Sequence, residues 1–314
     1  MVRWYDAHIY GRVEGGDRPP FYCDPKRVGA FAVSPAQLAR GSDDALFRLL
    51  VTLAMYQSRR DVDIMAIQRS IPRSIAMNMT SPRRLRVLVE GHRCVAMDHA
   101  DTFDKECDVR RGDTMRRATC GRRPRMACHV KEATGAIRRM GDMGMIPTSA
   151  WLHLRAMGGF SALIERARVD TDSPARAADR VVVELSKLHR IGVKLATMIV
   201  SALSVPAIAP GLTPWWPKLD GNHLVVVDAN VARVIDALRA PGARTHDAYA
   251  SWFRWHAVQI DLRAVRADWP RTSPRLVQQA VYWFRSRSNR AAIDDNCVKS
   301  GPCGTCVVSV CPFA

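Results

Sequence analysis

Between residues 46 and 54 the apolar positions Leu46, Leu49, Leu50, Leu53 and Ala54 recur at a helical interval. Ser42, Asp43 and Asp44 stand just ahead, residue types that accept a hydrogen bond from the orphan amides of a first turn. The pattern predicts an amphipathic helix ending near Gln57. Helical periodicity returns around Ile137, over Trp151 to Met157 and over Phe160 to Ala167. Asp172 and Ser173 precede a further helix, from Pro174 to about Lys187. Leu195, Met198, Ile199, Ala202 and Leu203 define the buried face of another, starting near Val193. Only Leu224 to Val227 carries a strand-like pattern. Proline and glycine punctuate residues 10–35, which read as an irregular arm with turns. Residues 91–130 hold few large apolar side chains and no clean period, and read as a loop-rich insertion. The fold class is all-α, with no internal repeat.

A chain of 314 residues with 47% hydrophobic residues can bury one large core or two ordinary ones. A formal net charge of +17 and a pI near 10.1 favour a polyanionic partner, most simply nucleic acid. Part of that charge sits in the insertion, as Arg110, Arg111, Arg116, Arg117, Arg122, Arg123 and Arg125. A membrane span is not expected. The weakly charged stretch Leu195–Leu212 is short, lies beside Lys194 and is broken by Pro206 and Pro210. The first residues, Met-Val-Arg-Trp-Tyr-Asp-Ala-His, lack the apolar core of a signal peptide. The expectation is a soluble, cytoplasmic, nucleoid-associated monomer.

Two groups of cysteines suggest metal chemistry. Cys297, Cys303, Cys306 and Cys311 lie close together, with Gly301, Pro302 and Gly304 allowing tight turns between them. Four thiolates so near in sequence can converge on zinc or an iron–sulfur cluster. Cys94, Cys107, Cys120 and Cys128, with His92, His99 and His129 nearby, offer a second metal site. Their spacings are long and contain no Cys-x2-Cys, so small buried residues of an insertion are the simpler reading.

Residues 185–203 predict a helix ending near Leu188, a turn carrying Gly192, and a helix starting near Val193 with Lys194 in its first turn. Such a turn aims unpaired backbone amides at a phosphate oxygen. Downstream, the apolar run Val225-Val226-Val227 ends in Asp228, directly before a helical pattern. In this order the hairpin, the Val-Asp-x-Asn segment and the terminal cysteines resemble the helix-hairpin-helix superfamily of DNA glycosylases, most closely its endonuclease III branch. A weaker echo covers Phe47 to Val62. Residues 63–150 lie outside the resemblance. Arg190 stands where the family carries the first hairpin glycine, and the outer cysteine gaps are each one residue shorter than in the family.

The resemblance implies two helical domains flanking a DNA-binding cleft. Residues 45–224 would form a six-helix barrel with the hairpin and the basic insertion at about 91–130. Residues 1–44 and 225–314 would form the domain carrying a [4Fe–4S] cluster on Cys297, Cys303, Cys306 and Cys311, with Zn2+ as the alternative. The implied partner is duplex DNA holding a damaged, mismatched or modified base. Lys194 would attack the sugar C1′ and form a Schiff base, and a helix N-terminus and basic neighbours favour its neutral amine. Asp228 would stabilise developing positive charge and move protons, a role compatible with capping a helix. The base must leave the stack. Gln57 and Ser58 would fill the gap, while Arg190, Ile191 and Gly192 would meet the backbone. Trp215 and Trp216 would wall a base pocket or anchor a loop. Thr52 stands where adenine glycosylases carry their catalytic Glu, which speaks against that specificity. Two other readings stay open: a monofunctional glycosylase in which Asp228 activates water, and a non-catalytic DNA-binding protein.

Overall fold

The computed structural model describes residues 1–11, 19–57, 59–92, 94–109, 118–123, 125–137, 142–169, 171–238 and 242–286. Among them the chain is helical throughout and forms no strand, as the periodicity predicts. No helix of the described residues is long and apolar enough to cross a membrane. The chain divides into two compact units. One holds residues 20–173 and 180–199, the other 1–19, 174–179 and 200–314. The sequence reading put these limits at residues 45 and 224.

The first unit contains α1 (Asp43–Ala54), α2 (Asp61–Ser70), α3 (Arg73–Thr80), α4 (Pro82–His92), α5 (Ala100–Glu106), α6 (His129–Ile137), α7 (Ile146–Met157) and α8 (Gly159–Arg168). The predicted apolar face of α1 is fully buried, Leu49, Leu50 and Ala54 having no exposed surface. Its start differs from expectation. Ser42 occupies the N-cap position but makes no side-chain capping bond, leaving Asp43 and Asp44 in the first turn to complement the dipole. Residues 20–44 join this unit because they lie on α1 and supply acceptors to it. The Arg48 guanidinium donates to the Ala30 carbonyl at 3.0 Å, and the Thr52 hydroxyl to the Phe31 carbonyl at 3.0 Å. This arm is also more ordered than its prolines suggest. Asp24 and Ser34 each accept a bond from the first turn of a short helix, Pro25–Val28 and Pro35–Ala39. Between α7 and α8, Gly158 and Gly159 both adopt positive φ (84° and 85°), a reversal a side chain would resist.

The chain continues through α9 (Pro174–Leu185) and α10 (Val193–Ser204) to α11 (Ala229–Leu238), α12 (His246–Ala257) and α13 (Pro274–Arg285). Residues 200–286 build the second unit with the N-terminal turns. Its core joins the two ends of the described chain: Trp4 meets Phe284 edge-on at 5.4 Å, and Tyr10 meets Trp269 at 4.9 Å. The Arg266 guanidinium lies over the Tyr10 ring and pairs with Asp6 at 2.7 Å. Leu224–Val227, whose pattern suggests a strand, pairs with no strand among the described residues. Instead the Gln278 side chain on α13 accepts from the Val226 amide at 3.4 Å, and also holds Arg275 at 2.8 Å. A helix side chain has taken the place of a ladder partner.

Candidate nucleic-acid interface

The turn between α9 and α10 is built by short-range bonds. The Leu188 amide donates to the Leu185 carbonyl at 3.2 Å and the Ile191 amide to the Leu188 carbonyl at 2.9 Å. Leu185, Leu188 and Ile191 are buried, which pins the turn from beneath. Arg190 adopts φ +62°, the left-handed conformation that glycine accepts freely and that costs another residue about 1 kcal/mol or more. The offset is electrostatic. The Arg190 guanidinium grips Asp142 at 2.7 and 2.5 Å, and His189 approaches the same carboxylate at 3.5 Å. Burial pushes the Asp142 carboxyl up, but the Arg190 hydrogen bond and charge, with His189, outweigh it and hold it below its ordinary range. In this structure the Arg190 guanidinium is engaged by Asp142.

Ile191 is buried and its amide is used within the turn, so neither reaches outward. Gly192 and the start of α10 remain to meet an anion. A Cβ on Gly192 would touch nothing within 4 Å, so a ligand can approach its backbone closely. Gly192 caps α10, accepting from the Leu195 and Ala196 amides at 3.0 and 3.1 Å. Ahead of these, the Val193 and Lys194 N–H groups have no helical carbonyl to bond. Lys194 lies in that first turn and is half-buried.

The other predicted residues have separate settings. Asp228 caps α11: one carboxylate oxygen accepts from the Val231 amide at 2.8 Å, while its carbonyl accepts from Ala232 at 2.8 Å. The bland role of Asp228 is thus present. Trp215 is 2% exposed, with its amide on the Leu203 carbonyl at 3.0 Å and its carbonyl holding the Leu219 amide at 2.8 Å. It anchors the loop. Trp216, at 42% exposed, is the member of the pair that can face a base. Gln57 turns back on the end of α1, donating to the Ala54 carbonyl at 2.5 Å. Thr52 is sealed in the core. Ser58 and the terminal cysteines Cys297, Cys303, Cys306 and Cys311 lie outside the described residues.

Sequence reasoning missed one arrangement and left a second undecided. The Asp142–Arg190 pair joins residues far apart in the chain, so no local pattern could announce it. The second is in the insertion. Cys94, Cys107, Cys120 and Cys128 line one cavity, with Glu106, Arg122 and Lys131 beside them. Burial pushes the Cys107 thiol up to about 12, and Cys128, Cys94 and Cys120 each add to the shift. The histidines stand apart from this cavity. His92 and His129 meet edge-on at 6.0 Å, and His129 shares a hydrogen bond with Thr148 at 3.1 Å. A larger cavity of about 430 Å³, lined by Trp151, Arg155, Phe160, Phe47, Arg86 and Glu90 among others, includes none of the predicted residues. No protein family, curated protein or solved structure matches the chain.

Proposed function

We propose that this protein is a DNA glycosylase with an associated lyase step, acting on duplex DNA through Lys194. One observation carries the reading. The turn places a left-handed residue at 190 and an open glycine at 192 directly before a helix whose first turn holds a lysine. Left-handed residues also end ordinary helices, so the weight falls on the open glycine and the lysine that follows it. With the net charge of +17, this favours a phosphate backbone beside an amine nucleophile.

In the proposed reaction the neutral Lys194 amine bonds to C1′ of the flipped nucleotide as the base departs with its electron pair and takes up a proton. Ring opening yields the imine. The imine acidifies the neighbouring sugar proton, and its removal expels the 3′ phosphate, nicking the strand. Asp228 would stabilise positive charge on the sugar and carry protons, using the carboxylate oxygen outside the helix cap. Four thiolates as close as Cys297, Cys303, Cys306 and Cys311 suit a [4Fe–4S] cluster, which would act as scaffold. No step runs through it.

Lys194→Ala is expected to abolish borohydride trapping and strand nicking, with DNA affinity kept within a few-fold. Undiminished trapping by this variant would move the nucleophile elsewhere. Full base release without any trapping by the parent protein would favour water activated by Asp228.

A further inference from the structure

We propose that Cys94, Cys107, Cys120 and Cys128 bind one Zn2+ ion as a four-thiolate structural site that fastens the base of the arginine-rich insertion. The four line a single cavity of about 20 Å³, room for one ion. None is in a disulfide.

Each cysteine stands where the backbone already turns. Cys94 opens a short 3-10 turn, the Met97 amide donating to its carbonyl at 2.8 Å. Cys107 closes α5, its amide on the Phe103 carbonyl at 3.0 Å. Cys120 and Cys128 flank an isolated antiparallel bridge between Thr119 and Ala127. Their amides cross it, to the Met126 and Ala118 carbonyls, both at 2.8 Å. Cys128 also precedes α6; burial raises its thiol pKa overall, and the Lys131 and Val130 amides directed at its sulfur act against that shift.

Two further observations point to a bound cation with excess negative charge around it. Lys131 is almost wholly buried and lines the same cavity, its ammonium donating to the Val109 carbonyl at 2.7 Å. Asp108, which lines the same cavity, already supplies this ammonium with negative charge, and four thiolates about a divalent ion would add to it. Among its described residues the segment also has little core of its own. Between Cys94 and Cys128 the buried apolar side chains among the described residues are Ala96, Met97, Phe103 and Val109. So thin a core is the condition under which small modules depend on a metal.

Among the described residues no three Cys, His, Asp or Glu side chains already stand as a coordinating group. Binding therefore draws the sulfurs inward by side-chain rotation. Each thiol gives up its proton as its Zn–S bond forms, so affinity rises with pH. The proposal does not rest on the role of Lys194.

The test measures zinc and iron in the full chain and in Cys120→Ser/Cys128→Ser, both grown with zinc. The variant is expected to lose one equivalent of zinc while its iron is unchanged. Unchanged zinc, or loss of iron instead, overturns the proposal. A misfolded variant is guarded against by alkylating the unaltered protein and mapping the labelled thiols. The four cysteines should become reactive together only after a zinc chelator is added, and labelling indifferent to the chelator overturns the site.

Discussion

The hairpin at 186–194 and the insertion at 94–128 are both short, basic and poor in regular structure, yet they hold their shape by opposite means. In the hairpin nearly every constraint is local: amides bond carbonyls three residues back, and three buried side chains pin the turn. Its long-range elements are few: the His189 amide donates to the Ser149 hydroxyl at 3.2 Å, and Asp142 pairs with Arg190, supporting a conformation that side chain would otherwise avoid. The insertion shows the reverse. Its elements are a few residues long, and what unites them is a cavity lined from four separate turns. The first kind of site can be read from a local motif, whereas the cysteines of the second show in the sequence only as candidate ligands at long spacings.

The largest expected effect strikes both regions. Gly144 lies between α6, where the insertion ends, and α7, two residues after Asp142. A Cβ there would sit 2.6 Å from the Thr134 Cα and closer still to its amide nitrogen. Because the obstacle is backbone, Gly144→Ala should cost about 3 kcal/mol or more. Chemical denaturation checks this. A loss under about 1 kcal/mol would mean the two regions are not braced there.

Next come the exposed arginines of the insertion. Replacing Arg122, Arg123 and Arg125 together by Gln should weaken duplex DNA binding roughly tenfold at moderate salt. It should also flatten the dependence of log affinity on log salt by up to about 0.9 for each lost phosphate contact. An unchanged slope would remove the insertion from the interface and leave the hairpin alone on the phosphates.

Arg190 provides a finer test of the hairpin. Arg190→Ala loses the ion pair and keeps the strained φ, while Arg190→Gly loses the pair and relieves the strain. The glycine variant should therefore be more stable than the alanine variant by about 1 kcal/mol. Equal stabilities would show that the turn relaxes once Asp142 lets go.

The smallest effect is a pH dependence. Asp142 has a folded pKa below its unfolded one, so its contribution is present in full above about pH 4 and is lost as pH falls through the folded value. Arg190 is well exposed, so screening keeps this under about 1 kcal/mol. The stabilities of the parent and Asp142→Asn proteins should converge in acid. A constant gap would assign the effect to packing.

What was legible in the sequence follows the same division. The face of α1, the start of α10 and the cap at Asp228 could be read because each is fixed by residues within a few positions of one another. Leu224–Val227 misled because an apolar run specifies an extended buried chain but not its partner, and here Gln278 takes that part. α5 was hidden in a region without helical period because it is two turns long and buries little besides Phe103. Trp215 and Trp216 look alike in sequence, and only the packing around Leu203 and Leu219 separates the anchor from the exposed ring.

The aromatic clasp of Trp4 on Phe284 and Tyr10 on Trp269 has a consequence for how the chain is born. The turns that hold Trp4 and Tyr10 leave the ribosome long before their partners exist. At about 5–20 residues per second, they wait on the order of tens of seconds for α13 to be made. Meanwhile residues 20–173, with a core of their own, are complete much earlier. Vectorial synthesis therefore favours one unit first, with the apolar stretch of residues 1–10 exposed until α13 is made. During that interval it is the natural handhold for a chaperone.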